Sequence, residues 1–161
     1  MNTPNLLDAI RVVKENERLA VETYANAAKK VNTLGKGLFE QLSGFEQFHY
    51  ERLTALEKSL QESGKFINYE GKAFVLPPRL EITFAETPEH RSLMDIITEA
   101  KKFEKHTENV YCDLAEQLED PQGHDMFCKL SEEEHKHFLI LSDAYWSLNQ
   151  YAVWKYTPST L

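Results

Sequence analysis

The sequence predicts an all-α fold: a four-helix bundle of two antiparallel hairpins joined by one long crossover. Three observations carry this expectation. Four long stretches place apolar residues three or four apart and lack internal proline. The first and last pairs of stretches are joined by only a few residues, whereas residues 64–87 separate the pairs. The second half of the chain also repeats the first at a nearly constant offset.

The first helix is expected over about 5–32, with Leu6, Ile10, Val13, Ala20, Tyr24, Ala27 and Val31 along one face. Thr3-Pro4 suits an N-cap followed by proline in the first turn. A break at Asn32-Thr33-Leu34-Gly35 precedes a second helix over about 36–63, carrying Leu38, Leu42, Phe45, Leu53, Leu56 and Leu60 and stopped by Gly64. The crossover, 64–87, contains Pro77-Pro78 and an extended-looking run from Leu80 to Phe84. It is long enough to travel the length of the bundle and start the third helix parallel to the second. That third helix, about 88–119, follows Thr87-Pro88, shows Leu93, Ile97, Ala100, Val110, Leu114 and Leu118, and ends at Asp120-Pro121. The fourth, about 122–149, carries Phe127, Leu130, Leu141, Ala144 and Leu148. Each helix would be about 40 Å long. The tail, 150–161, is rich in aromatics around Trp154 and is expected to pack on the bundle or on a second subunit. The whole of 1–161 reads as one domain.

The repeat is specific. Phe39, Leu42, Glu46, His49 and Leu53 recur 88 residues later as Phe127, Leu130, Glu134, His137 and Leu141. Glu17 and Tyr24 recur 87 residues later as Glu104 and Tyr111. The hairpins therefore read as copies about an approximate two-fold axis.

Composition narrows the function classes. Eighteen Lys and Arg against 26 Asp and Glu give a formal net charge of −8 over 161 residues. That balance disfavours nucleic acid as a partner and favours cations. Six Gly, six Pro and 42% hydrophobic residues exclude a low-complexity or disordered chain. Two cysteines, Cys112 and Cys128, are too few for a secreted disulfide scaffold and are expected as a buried reduced pair. No stretch approaches the ~18 consecutive apolar residues of a membrane span. The expectation is a cytoplasmic protein without membrane contact.

The informative positions are gaps in the apolar stripes. Glu17 interrupts the first helix between Val13 and Ala20; Glu104 and Thr107 interrupt the third between Ala100 and Tyr111. Glu46 and His49 interrupt the second, and Glu134 and His137 the fourth. Three-residue spacing puts each Glu and its His on one face, one turn apart. Burying a carboxylate costs several kcal/mol unless it is compensated, and four together cannot all stay ionised. No Lys or Arg stands on these stripes at the same level. Two divalent cations would match four carboxylates, and oxygen with imidazole nitrogen suits iron, manganese or zinc.

This constellation resembles the ferritin-like di-iron carboxylate proteins, in which two helices give a Glu and two give Glu-x-x-His. The resemblance covers about residues 5–149 and is nearest to the rubrerythrin-type branch, because a Tyr follows the Glu by seven residues in both halves. It implies Glu17, Glu46, His49, Glu104, Glu134 and His137 as metal ligands, with Glu46 and Glu134 bridging two iron ions. It implies that Tyr24 and Tyr111 hydrogen-bond ligand carboxylates. Rubrerythrins use a further Glu one turn along the third helix. Here Thr107 stands three residues after Glu104, and Glu108, four after, is the candidate seventh ligand. No C-x-x-C follows the bundle, so a separate electron donor such as a rubredoxin-like protein is expected. The implied activity is oxidation of a di-iron centre by peroxide or dioxygen, in oxidative-stress defence or iron handling. The alternatives are a ferroxidase on the same site and a non-catalytic metal-binding or helical interaction module. The apolar crossover residues Phe74, Val75, Leu76, Leu80, Ile82 and Phe84 suggest a homodimer surface.

The other polar residues read as structural. His90, His106, His124 and His135 fall on other faces or near helix ends, and in Glu132-Glu133-Glu134 only Glu134 is in phase, leaving its neighbours on a solvated face.

Overall fold

The computed structural model describes residues 2–31, 33–73, 80–81, 88–151 and 153–154. Four helices, α1 (Thr3–Lys30), α2 (Thr33–Ser63), α3 (Pro88–Gln117) and α4 (Pro121–Tyr151), form two hairpins, α1 with α2 and α3 with α4. Two short strands, β1 (Leu80–Glu81) and β2 (Val153–Trp154), pair antiparallel with Leu80 opposite Trp154 and Glu81 opposite Val153. The tail thus returns to the crossover through a backbone ladder, which the apolar periodicity did not signal. The other apolar crossover residues expected at a dimer surface, and the tail beyond Trp154, lie outside the described residues, as does the side chain of His90.

Local chemistry sets the helix ends. Asn2, rather than Thr3, caps α1: its side-chain oxygen accepts the Asn5 amide at 3.1 Å, with Pro4 in the first turn behind it. Asp120 caps α4 by accepting the amides of Gln122 and Gly123 at 2.9 and 3.0 Å, with Pro121 as the first helical residue. The α1–α2 turn is tighter than expected, since Gly35 already lies in the first turn of α2 and is buried there.

Two apolar clusters fill the bundle, one on each side of a polar layer. One joins Ala20, Tyr24 and Ala27 to Leu38, Phe39 and Leu42, and to Leu93, Ile97, Ile140, Leu141 and Leu148. The other joins Leu6, Ile10 and Val13 to Leu53, Leu56, Tyr111, Leu114, Met126, Phe127 and Leu130, with Tyr69 of the crossover. Burying each large side chain contributes about 1.5–3 kcal/mol. On every helix the two sets of positions are separated by the polar residues that break the stripe. No helix among the described residues is long and apolar enough to cross a membrane.

Candidate metal centre

The layer between the apolar clusters holds Glu17 of α1, Glu46 and His49 of α2, Glu104 of α3, and Glu134 and His137 of α4, all buried to within 1% of complete enclosure. Regular helix on both sides leaves each of these side chains no choice of direction: the neighbours at i±3 and i±4 are packed in the cores. The expected six are brought together. They form two groups, Glu17, Glu46, His49 and Glu134, and Glu46, Glu104, Glu134 and His137, in each of which one donor atom per residue lies within 4.8 Å of all the others. Glu46 and Glu134 belong to both.

His49 Nδ1 lies 2.9 Å from Glu134 Oε1, 3.3 Å from Glu46 Oε2 and 3.8 Å from Glu17 Oε1. His137 Nδ1 lies 3.4 Å from Glu134 Oε2, 3.5 Å from Glu104 Oε2 and 3.9 Å from Glu46 Oε1. The rings are nearly parallel, 6.1 Å apart between centroids. Two tyrosines tie the hairpins crosswise. Tyr24 of α1 donates its hydroxyl to Glu104 Oε1 of α3 at 2.5 Å, and Tyr111 of α3 donates to Glu17 Oε1 of α1. Glu104 keeps Oε2 toward the centre, 3.5 Å from His137 Nδ1, whereas Glu17 Oε1, the oxygen that Tyr111 holds, is also the one 3.8 Å from His49 Nδ1. Glu17 Oε2, Glu104 Oε2, both oxygens of Glu46, both of Glu134 and His49 Nδ1 are buried with no well-directed hydrogen bond. Buried polar atoms are rarely left so. Here they face one another.

Electrostatics follows from the enclosure. Burial and the neighbouring Glu46 push the Glu17 carboxyl well above the usual range. Burial with Glu134 and Glu104 raises Glu46 to about 7, and burial with Glu104 raises Glu134 to about 8. For Glu104 burial acts upward too, but hydrogen bonding with Glu134, the charge of His137 and the Tyr24 hydroxyl hold it below its ordinary value. The physical picture is a proton shared between like carboxylates. Burial would lower both imidazoles, yet the surrounding carboxylates outweigh it: His49 is held well above its ordinary value and His137 is raised to about 10. Protons thus compensate the acids of this layer, and a divalent cation would take their place and release them. The donor set fits two such ions: four carboxylates to four positive charges, with oxygen and imidazole nitrogen at one depth.

Glu108 is not in either group. Its carboxylate pairs with Lys105 and His135, each at 3.2 Å, at the bundle surface. Four residues beyond Glu104 is a further 40° around the helix, and that rotation turns it outward. Thr107 is buried but spends its hydroxyl on the Phe103 carbonyl at 3.0 Å. His106, His124 and His135 are exposed, as expected. The cysteines are free but not a buried pair: Cys112 is exposed and Cys128 half-buried.

Glu133 corrects the reading of its acidic run. It is buried, accepts from His49 Nε2 at 3.1 Å, from the Tyr69 hydroxyl and from the Lys72 amide at 2.7 Å. Those donors keep its carboxyl below the ordinary value despite burial. The repeat held the signal, because the offset of 88 places Glu133 on Phe45, a residue of the apolar stripe. No family model, curated protein or solved structure matches the chain.

Proposed function

We propose that these six residues hold two metal ions, iron in the working protein, and that the chain is a rubrerythrin-like redox protein. It reduces peroxide, or dioxygen, with electrons restored by a separate donor such as a rubredoxin-like protein. The observation that carries this is the convergence of buried, hydrogen-bond-deficient carboxylate and imidazole atoms between two apolar cores. Glu17 and His49 would hold one ion, Glu104 and His137 the other, and Glu46 and Glu134 belong to both donor groups. Manganese or zinc would satisfy the same donors.

Two ferrous ions held by these residues would supply the two electrons that, with two protons, reduce hydrogen peroxide to two waters. The protein's part is enclosure and orientation. The apolar clusters keep bulk water from the layer, and Tyr24 and Tyr111 fix the Glu104 and Glu17 carboxylates by one oxygen each. A groove of about 650 Å³ between α1 and α3, lined by Leu19, Ala20, Ile96, Ala100 and Phe103, reaches the ring of Tyr24. A small oxidant would approach by this side.

The test has two stages. Elemental analysis with anomalous scattering at the iron edge, on protein purified without added metal, should find two iron ions at the layer. Stopped-flow mixing of the ferrous protein should then show faster oxidation by peroxide than by dioxygen. Equal or slower reaction with peroxide favours the ferroxidase, and metal that binds but does not cycle under reductant and peroxide favours the non-catalytic module. A homodimer is part of the proposal, and a monomer by sedimentation at high concentration would remove it.

A further inference from the structure

The two imidazoles of the layer are held from behind by different groups. Behind His49 stands Glu133, whose Oε2 accepts from His49 Nε2 at 3.1 Å and from the Tyr69 hydroxyl, while Oε1 accepts from the Lys72 amide at 2.7 Å. The position related to Glu133 by the repeat is Phe45, whose ring meets that of His137 edge-on at 4.6 Å between centroids. The pseudo-symmetry is broken at this pair of positions.

The segment after α2 holds Glu133 in place. Phe66 packs so closely over Gly123 that a Cβ there would lie 2.6 Å from its ring. Lys129 Nζ donates to the Tyr69 carbonyl at 3.1 Å. Gly71, with φ of +81°, turns the chain so that the next amide points at Glu133, and a Cβ on Gly71 would fall 2.6 Å from Glu133 Oε1. Three donors on one buried carboxylate leave it a single orientation.

We infer that Glu133, clamped by Tyr69 and the Lys72 amide, is a positioning residue that aims His49 Nδ1 and thereby controls only the ion position at Glu17 and His49. An imidazole whose Nε2–H is donated to a carboxylate is locked in the tautomer that presents Nδ1, and its basicity toward a metal rises. Removing such a partner weakens metal binding about 10–100-fold. The effect is confined because His49 belongs to one of the two donor groups and His137 to the other.

This inference rests on the two-ion reading, and one experiment separates them. The full chain, stripped by chelator, is titrated anaerobically with cobalt(II), following the visible bands and the metal retained. Wild type should bind two ions. Glu133→Gln should bind one with affinity within about twofold of wild type and the other about 10–100-fold more weakly. In a His49→Ala background the same substitution should add nothing. Two ions bound at wild-type affinity by Glu133→Gln, or both weakened alike, would overturn the inference while leaving the two-ion reading intact. No cobalt bound by wild type would overturn that reading itself. Should Glu133→Gln not fold, as judged by circular dichroism, Gly71→Ala displaces the clamp without removing the carboxylate. It should weaken the same single position, and unchanged binding would refute the proposal.

Discussion

The two hairpins are alike in the Glu, His and Tyr residues of the polar layer and differ behind its histidines, where the crossover touches one of them. Glu46 and His49 are matched by Glu134 and His137, and Tyr24 to Glu104 by Tyr111 to Glu17. Off the axis the match fails: Glu133, under Tyr69 and Lys72, occupies the place that Phe45 holds in the other hairpin. The comparison separates two constraints. Residues facing the shared centre must serve both halves and so repeat, whereas residues behind them answer to a connection that exists only once.

The largest effects should come from the residues the halves share. Glu46 and Glu134 belong to both donor groups, Glu17 and Glu104 to one each. Glu46→Ala or Glu134→Ala should therefore take metal content from two ions to well below one, measured by elemental analysis after dialysis. Glu17→Ala or Glu104→Ala should leave about one. Equal losses for all four would mean that the shared carboxylates are not shared.

Removing the metal should expose the proton compensation that both halves use. Glu46 at about 7, Glu134 at about 8 and His137 at about 10 all sit above their ordinary values. Between the ordinary and the raised values the metal-free fold binds more protons than the unfolded chain, so this stabilisation is complete at acidic pH and is lost as pH rises through about 7, 8 and 10. Metal displaces those protons, so its own contribution grows with pH. At a hundredfold excess over Kd an ion adds about 2.7 kcal/mol, on the order of 5–10 °C in Tm for a chain of this size. Melts of stripped and loaded protein at pH 5, 7 and 9 should show the stripped Tm falling and the gap widening. A gap independent of pH would contradict the compensation.

Much of the fold and of the centre was legible because both are written in one period. Apolar residues three and four apart mark the buried face, and Glu17, Glu46, His49, Glu104, Glu134 and His137 announce themselves as polar residues in that phase. What could not be read from period alone depends on contacts distant in sequence. Glu133 is one residue out of phase with Glu134, and its burial comes from Tyr69 and Lys72, in a segment without helical spacing. Glu108 lies near the phase of Glu104 yet finds Lys105 and His135 outside. The pairing of Leu80 with Trp154 joins residues 74 apart by backbone alone.

The smallest effects test whether the halves are energetically equal. Tyr24→Phe and Tyr111→Phe each remove one hydroxyl from a buried carboxylate without changing the packing of the ring. Leaving such an acceptor without its donor costs about 1–3 kcal/mol. Tyr24 serves Glu104, held below its ordinary value, and Tyr111 serves Glu17, raised well above it. Tyr24→Phe should therefore cost more than Tyr111→Phe in urea denaturation of the stripped protein, and the double variant should show whether the losses add. Glu108→Gln serves as the outer reference: a surface pair contributes about 0–1 kcal/mol, and metal content should not change. Equal losses would mean that the two carboxylates carry the same charge and that the inequality stays behind the histidines. The centre would then be a symmetric layer perturbed at Glu133, instead of two unlike halves sharing a sequence pattern.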